Sequence, residues 1–375
     1  MIKQGIFNPR SLFISRLLSR IISPFFKLFS RRKHFLIDKL PPPKILITEY
    51  DCIGDVILVT PAIQAIKQKY PEAKIYLVVV PQIKKTIEAT NLVDECISFI
   101  VPWHRKFNLK NWKNAFSLVK SLRKEKFDLG IDFNGDIRNL IFLWKVKSKI
   151  SLGYDATGGN FLLTHSARFP FHKHQLERAL ILLKQINIDA KFTPPKIDIF
   201  RGDFSSLKTT LKEKFKNIEV VIHPGANHSA RLWPEEYWFE LIEKLININT
   251  NVSVVIPPGF EEFENNLREK DFDVEIFKDD IYNFALWLKG KTILIGPDSM
   301  AVHLAIALGI YAIALFGSQD PKLTKPYGDH GFFLKANAIC KHKKKNWRLC
   351  EECMKDLKPQ MVMEKVNSII KLIKN

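Results

Sequence analysis

Lys44-Ile45-Leu46-Ile47-Thr48-Glu49-Tyr50 runs directly into Asp51-Cys52-Ile53-Gly54-Asp55 and then, past Val56–Thr60, into Pro61–Lys69. The first run is short, aliphatic and β-prone. The second carries a glycine between charged residues, and the third has the spacing of an amphipathic helix. Strand, tight loop and helix in that order make the opening of a βαβ unit. Working outward, further strand-like runs lie at Lys74–Val80, Glu95–Ile100 and Asp128–Phe133. Helix-like stretches lie at Trp112–Lys124 and Asp136–Val146, and His174–Ile188 reads as one long helix. After the turn-rich Phe192–Lys196 a second alternating series begins. Its strands are Val220–His223, Val252–Ile256, Val274–Phe277, Thr292–Gly296 and Ile310–Phe316. Its helices are Glu235–Ile246, Phe263–Lys270 and Ser299–Leu308, with Gln360–Lys374 closing the chain. Such alternation predicts an α/β protein of mostly parallel sheets. At 375 residues it predicts two doubly wound domains. The expected division is an extension over 1–40, domains over 41–195 and 196–355, and a C-terminal helix over 356–375.

Composition narrows the function class. With 46% hydrophobic residues the chain is too apolar for disorder, and five cysteines are too few for a disulfide scaffold, so a reduced cytosolic setting is expected. The net charge is +19, and residues 1–40 hold nine basic residues against Asp38 alone, a net +8. A polyanionic partner is implied: nucleic acid, acidic lipid or a phosphorylated substrate. Within that head Arg16, Arg20, Lys27 and Arg31 share a helical face, Leu12–Phe29 supplies apolar residues, and Pro24 is expected to kink or split the helix. Charges interrupt it too often for a membrane span, and Ile21–Phe26 is too short for a secretory signal. An in-plane helix on anionic lipid is the favoured reading, against an extra helix packed on the body, a disordered arm or a transit peptide. Ser299–Gln319 lacks charge, but Gly309 divides it into buried helix and buried strand.

Doubly wound sheets bind ligands beyond the carboxyl ends of their strands. In Tyr50–Asp55, Gly54 permits a tight turn. Asp55 either takes a proton from an attacking hydroxyl as general base or caps the next helix. In His223-Pro224-Gly225-Ala226-Asn227-His228-Ser229-Ala230-Arg231 the turn amides can approach an anion, and Arg231 can grip a phosphate or stand as a surface arginine. Gly296-Pro297-Asp298-Ser299-Met300-Ala301-Val302-His303 runs a strand into a helix. Asp298 or Ser299 can cap it, its amides can hold an anion, and His303 faces the same way or fills the core. Glu261 can hold a ribose hydroxyl or be an exposed acid. Asp271-Phe272-Asp273 precedes its strand, at the wrong end for a site. Cys340, His342, Cys350 and Cys353 are a weak metal candidate, since only the Cys350–Cys353 half is well spaced.

Taken together, these segments resemble glycosyltransferase family 9, the heptosyltransferases of lipopolysaccharide core assembly, from about Lys44 to Lys371. The carriers are Ile45-Leu46-Ile47 with Ile53–Pro61, His223–Ala226 with Arg231–Pro234, Gly296–Ser299 with His303–Ala305, and Ala314–Gly317. Leu163-Thr164, His174 and Glu177 also fit. The resemblance implies a GT-B fold of two Rossmann-like domains facing a central cleft, the acceptor on the first and the nucleotide-sugar on the second. It implies inverting transfer with no cofactor and no bound metal. By position, Asp55 matches the catalytic base and Arg231 a phosphate-binding site usually held by lysine. Glu261 matches a ribose contact, and Asp298, Ser299 and His303 match the donor-phosphate loop. Met300 stands where glycine is common, Gly225 belongs to the donor side, and Gly54, Asn134 and Arg138 are acceptor-side candidates.

The expected activity is transfer of heptose from ADP-heptose to a phosphorylated, lipid-linked core acceptor. It would occur in the cytoplasm, at the inner face of the inner membrane, with residues 10–33 on anionic lipid. The alternatives are another nucleotide-sugar with a surface-polysaccharide acceptor, or a catalytically inactive family member acting as an assembly partner. No nucleic-acid partner is expected, because the basic residues are not interleaved with a reader module.

Overall fold

The computed structural model describes residues 9–29, 43–104, 108–199, 218–338 and 352–374. The chain divides between Thr193 and Pro194 into two compact units. In the first, helix α1 (Pro9–Phe29) precedes β1 (Lys44–Glu49), α2 (Ile53–Leu58), α3 (Thr60–Lys69), β2 (Lys74–Val79), α4 (Pro81–Glu88) and β3 (Glu95–Ser98). Then come α5 (Leu109–Lys124), β4 (Leu129–Asp132), α6 (Ile137–Val146), β5 (Ile150–Tyr154), β6 (His165–Ala167) and α7 (Gln175–Leu183). The second holds β7 (Glu219–Ile222), α8 (Glu235–Asn247), β8 (Asn251–Val255), α9 (Glu261–Glu269), β9 (Glu275–Phe277) and α10 (Ile281–Leu288). β10 (Ile293–Pro297), α11 (Met300–Ala307), β11 (Tyr311–Phe316), α12 (Pro321–Thr324), β12 (Gly331–Lys335) and α13 (Pro359–Lys374) complete it.

Both sheets have six strands, all paired in parallel, in the orders β3-β2-β1-β4-β5-β6 and β12-β11-β10-β7-β8-β9. Counted within its own unit, the second order repeats the first. Each sheet therefore reverses direction once, between β1 and β4 and between β7 and β10, and at such a point the following loops part to leave a crevice. Helices cover both faces, so the central strands carry continuous apolar runs: Ile45, Leu46 and Ile47 are fully buried, as are Ile293, Leu294 and Ile295. Each such side chain contributes about 1.5–3 kcal/mol of burial. The apolar run Ser299–Gln319 is indeed α11 and β11, separated by Gly309 at φ +78°. The tail belongs to the second unit, where α13 packs on α8 and Trp233 Nε1 donates to Leu357 O at 2.8 Å.

Several expectations are corrected. Helix α1 continues through Pro24 rather than splitting there. The long helix predicted over His174–Ile188 closes as α7 at Leu183, followed by a 3-10 turn over Lys184–Ile186. β5, β6, β12, α2, α4, α10 and α12 were not anticipated. Among the described residues no helix is long and apolar enough to cross a membrane.

Candidate active site

In the first unit the loops after β1 and β4 gather carboxylates. Asp132 closes β4 beside Thr48 of β1, whose hydroxyl donates to it at 3.0 Å, and Gly135 N donates to its other oxygen at 2.7 Å. Gly135 takes φ +71°, and a Cβ there would lie 2.6 Å from Tyr154 O, so this turn requires glycine. Glu49, the last residue of β1, is buried; Asn134 Nδ2 donates to its Oε1 at 2.8 Å, while Oε2 has no hydrogen-bond partner. Asp51 receives Asn139 Nδ2 at 3.4 Å.

Burial, reinforced by the mutual repulsion of these acids, holds them toward the protonated form. The Glu49 carboxyl is pushed well above its ordinary value, first by burial and then by Asp55, Asp51 and Asp132. Burial likewise takes Asp132 to about 7 and Asp51 to about 6. An acid raised in the folded state keeps its proton longer when folded. Its stabilising effect is therefore full below the unfolded value, roughly 3.9, and is lost as pH rises through the folded value. Thermal melts should accordingly show this unit gaining stability as pH falls from about 8 toward about 5.5, by up to about 1.4 kcal/mol per pH unit for each such acid. Asp132→Asn is expected to flatten that slope, and an unchanged slope would contradict the assignment.

Asp55 lies in the first turn of α2, whose N-cap is Cys52, so it is not the capping residue. Gly54 sits beside it inside the helix. It is not among the glycines of positive φ, so the expected tight turn is absent there. Helix α2 packs against α7, which carries the buried Arg178. Arg178 Nε donates to Lys173 O at 2.9 Å, and its guanidinium lies 5.0 Å over Phe169. Burial lowers the Arg178 pKa, and attraction to Asp55 opposes that shift. Arg138 is held by Asp136, Nη2 to Oδ2 at 2.7 Å, and donates to Trp103 O at 3.0 Å. Glu49, Asp51, Asp132 and Arg178 were not among the site residues expected from the sequence; Glu49 and Asp132 are hidden there by the aliphatic strands that carry them.

In the second unit the loops after β7 and β10 bring Arg231 and Asp298 together. Arg231 Nη1 donates to Asp298 O at 2.8 Å and lies 3.3 Å from Asp298 Oδ2. That carboxylate is almost fully buried and also receives the Thr324 hydroxyl at 3.2 Å. Burial raises the Asp298 pKa and Arg231 counteracts it. The Arg231 side chain keeps 35% exposure, so it pairs internally and still reaches solvent. Ser299 occupies the N-cap of α11 with φ −145°, but its hydroxyl makes no cap bond and is buried without a partner. Met300 opens α11 and His303 is buried within it. His223, at the end of β7, is buried and pushed down to about 4, hence neutral at physiological pH.

A Cβ on Gly225 would collide with the Pro257 ring, which ties the loop after β7 to the loop after β8. Gly225→Ala is therefore expected to cost about 1–3 kcal/mol, measurable by urea unfolding. A neutral result would mean the two loops part freely. Next to this contact a cavity of about 290 Å³ is lined by Pro224, Trp233, Gly259 and Phe260 among others. Glu261 starts α9, exposed, and accepts a hydrogen bond from Gly259 N at 3.3 Å. Among the described residues no group of three His, Cys, Asp or Glu is placed to hold a metal ion. Cys340, His342 and Cys350 lie outside the described residues, and Cys353 is buried.

The structure of E. coli heptosyltransferase WaaC with ADP matches this fold with a TM-score of 0.69 at 19% identity, covering 87% of this chain and 99% of that one. The same enzyme with ADP-2-deoxy-2-fluoro heptose gives 0.69 at 20%, over 87% and 99%. The two doubly wound sheets are thus those of the GT-B fold. Residues 115–355 match glycosyltransferase family 9 (heptosyltransferase), and the chain belongs to that family. It is 24% identical over 294 residues to lipopolysaccharide heptosyltransferase 3 of Escherichia coli (strain K12), covering 74% of this chain and 83% of the relative. With lipopolysaccharide heptosyltransferase 1 of the same strain it shares 24% over 354 residues, 87% of this chain and 100% of that protein. The family match includes Arg231 and Asp298 and does not reach the Asp55 segment.

Proposed function

We propose that this glycosyltransferase moves heptose from ADP-heptose to a phosphorylated lipopolysaccharide-core acceptor, with inversion and without a bound metal. One observation carries the reading: each sheet presents, at its own reversal point, the group that such a transfer needs. Asp55, attracted by Arg178 and set among acids held toward neutrality, is the general base for the acceptor hydroxyl. Gly54, Asn134 and Arg138 border the acceptor. Arg231 and the first amides of α11 meet the negative charge that grows on the departing diphosphate, and the Ser299 hydroxyl supplies a further donor. His303, Met300 and Gly225 shape that loop, while the cavity lined by Pro224, Phe260 and Glu262 takes the nucleoside end; Glu261, next to that lining at the start of α9, is the proposed ribose contact. The hydroxyl oxygen bonds to the anomeric carbon as the bond to phosphate breaks, and Asp55 receives the hydroxyl proton. The acceptor is lipid-linked, so the enzyme works in the cytoplasm at the inner membrane face, with residues 10–33 on anionic lipid; residues 30–33 lie outside the described residues.

The test is thermal shift against a panel of nucleotide-sugars. A donor at a hundredfold excess over its Kd stabilises by about 2.7 kcal/mol, and ADP-heptose is expected to do so where UDP- and GDP-sugars do not. Stabilisation by a different nucleotide-sugar would replace the donor assignment. Transfer is further expected to survive EDTA, and loss of turnover on chelation would overturn the metal-free route.

A further inference from the structure

Helix α1 is docked on the first unit by an unexpected face. Its serines, spaced four apart and so on one side, point inward. Ser15 Oγ donates to Thr157 O at 2.6 Å, and Ser19, buried, accepts from Gly159 N at 3.0 Å. Arg16 Nη2 donates to Ala156 O at 3.0 Å. The seat is built for close approach, since Gly158 takes φ +98° and a Cβ there would crowd Ser19. The apolar residues of its middle turns are left outside: Phe13 is 69% exposed, Ile14 56%, Ile21 56%, and Leu17, Leu18 and Ile22 are also exposed. An amphipathic helix packed on a protein normally buries its apolar stripe; this one turns it away. At the seam between the docked and the exposed faces, Arg16 and Arg20 of the helix and Arg168 of the segment after β6 line a cavity of about 740 Å³, with Asp155 the one acid among its lining residues.

We propose that this cavity is a binding site for the phosphate of an anionic membrane lipid headgroup, taken up while the exposed face of α1 enters the leaflet. The proposal rests on the membrane reading above and sharpens it. Arginine supplies planar, two-pronged donors to phosphate oxygens. Three of them around one opening, with a band of aliphatic and aromatic side chains beside it, match a headgroup joined to acyl chains. A soluble anion would have no use for that apolar band. Arg168 comes from a different segment, 148 positions after Arg20, so the cavity is assembled by the fold and is not a property of the basic helix alone.

The experiment is co-sedimentation of the full chain with vesicles of phosphatidylcholine, with and without phosphatidylglycerol, folding being checked by circular dichroism. Wild type should bind only the anionic vesicles, and Leu17→Asp, at an exposed position, should abolish binding. Arg168→Gln should weaken binding by more than the about fivefold expected for one surface charge, and Arg168→Lys should fail to restore it. Absence of wild-type binding would overturn the membrane reading itself. Wild-type binding with full rescue by Arg168→Lys would leave that reading intact and overturn the cavity, since diffuse attraction does not distinguish the two cations. Thermal stabilisation by soluble glycerol phosphate without vesicle binding would overturn the lipid assignment.

Discussion

Replacing Asp55 with Asn is expected to lower kcat by about 10²- to 10⁴-fold and to leave ADP binding, followed by calorimetry, at its wild-type value. Asn keeps the size of the side chain but exchanges one acceptor oxygen for an NH2 donor and accepts no proton. Asp55 occupies the first turn of α2 without capping it, so the change removes no cap bond from the helix. It also removes one of the charges that hold the neighbouring Glu49 protonated, second only to burial. Relief of that repulsion favours folding, while the buried Arg178 loses its attraction to Asp55; the two effects oppose, and the variant should stay folded near neutral pH. Turnover retained at the wild-type rate would remove Asp55 as the base and shift attention to Asp51, whose value near 6 also suits proton transfer.

Replacing Arg231 with Ala is expected to reduce kcat/KM by about 10²- to 10³-fold, with ADP affinity falling in parallel. Arg231 serves two partners. Inside, it meets both the carbonyl and the carboxylate of Asp298, a buried acid that also accepts the Thr324 hydroxyl. Outside, its partial exposure leaves donors free for a diphosphate. Truncation strips the cation from a buried acid, so Asp298 should titrate at still higher pH and the second unit should melt earlier. Arg231→Lys retains the charge but not the fork, and should fall between the two. Equal affinity for ADP in wild type and Arg231→Ala would exclude the phosphate role.

The sequence carried most of the fold because its central strands are buried on both faces, which makes Lys44–Glu49 and Ile293–Pro297 unmistakable apolar runs. The elements that escaped lack that signal. β6 is three residues at a sheet edge, none of them strongly apolar, and β12 is an edge strand opening on Gly331. α10 is apolar nearly all round, so it shows no stripe. The donor-side residues were legible because Pro, Gly and charge interrupt an apolar pattern there. The carboxylate cluster was not, because Glu49 and Asp132 sit inside strands whose aliphatic neighbours dominate the reading. For α1 the pattern revealed an amphipathic helix, yet periodicity does not say which face meets the body. Hydrogen bonds from Ser15 and Arg16 and to Ser19 decide that, and they depend on a loop more than 130 residues away.

The proposed route uses one carboxylate as base and no protein nucleophile, so it makes a single displacement at the anomeric carbon, and each displacement reverses configuration. NMR of the new glycosidic linkage, formed by the purified protein from a donor of known anomer, tests this chemistry most directly. The account predicts a product of opposite anomeric configuration to the donor; a product that keeps the donor's configuration would contradict it.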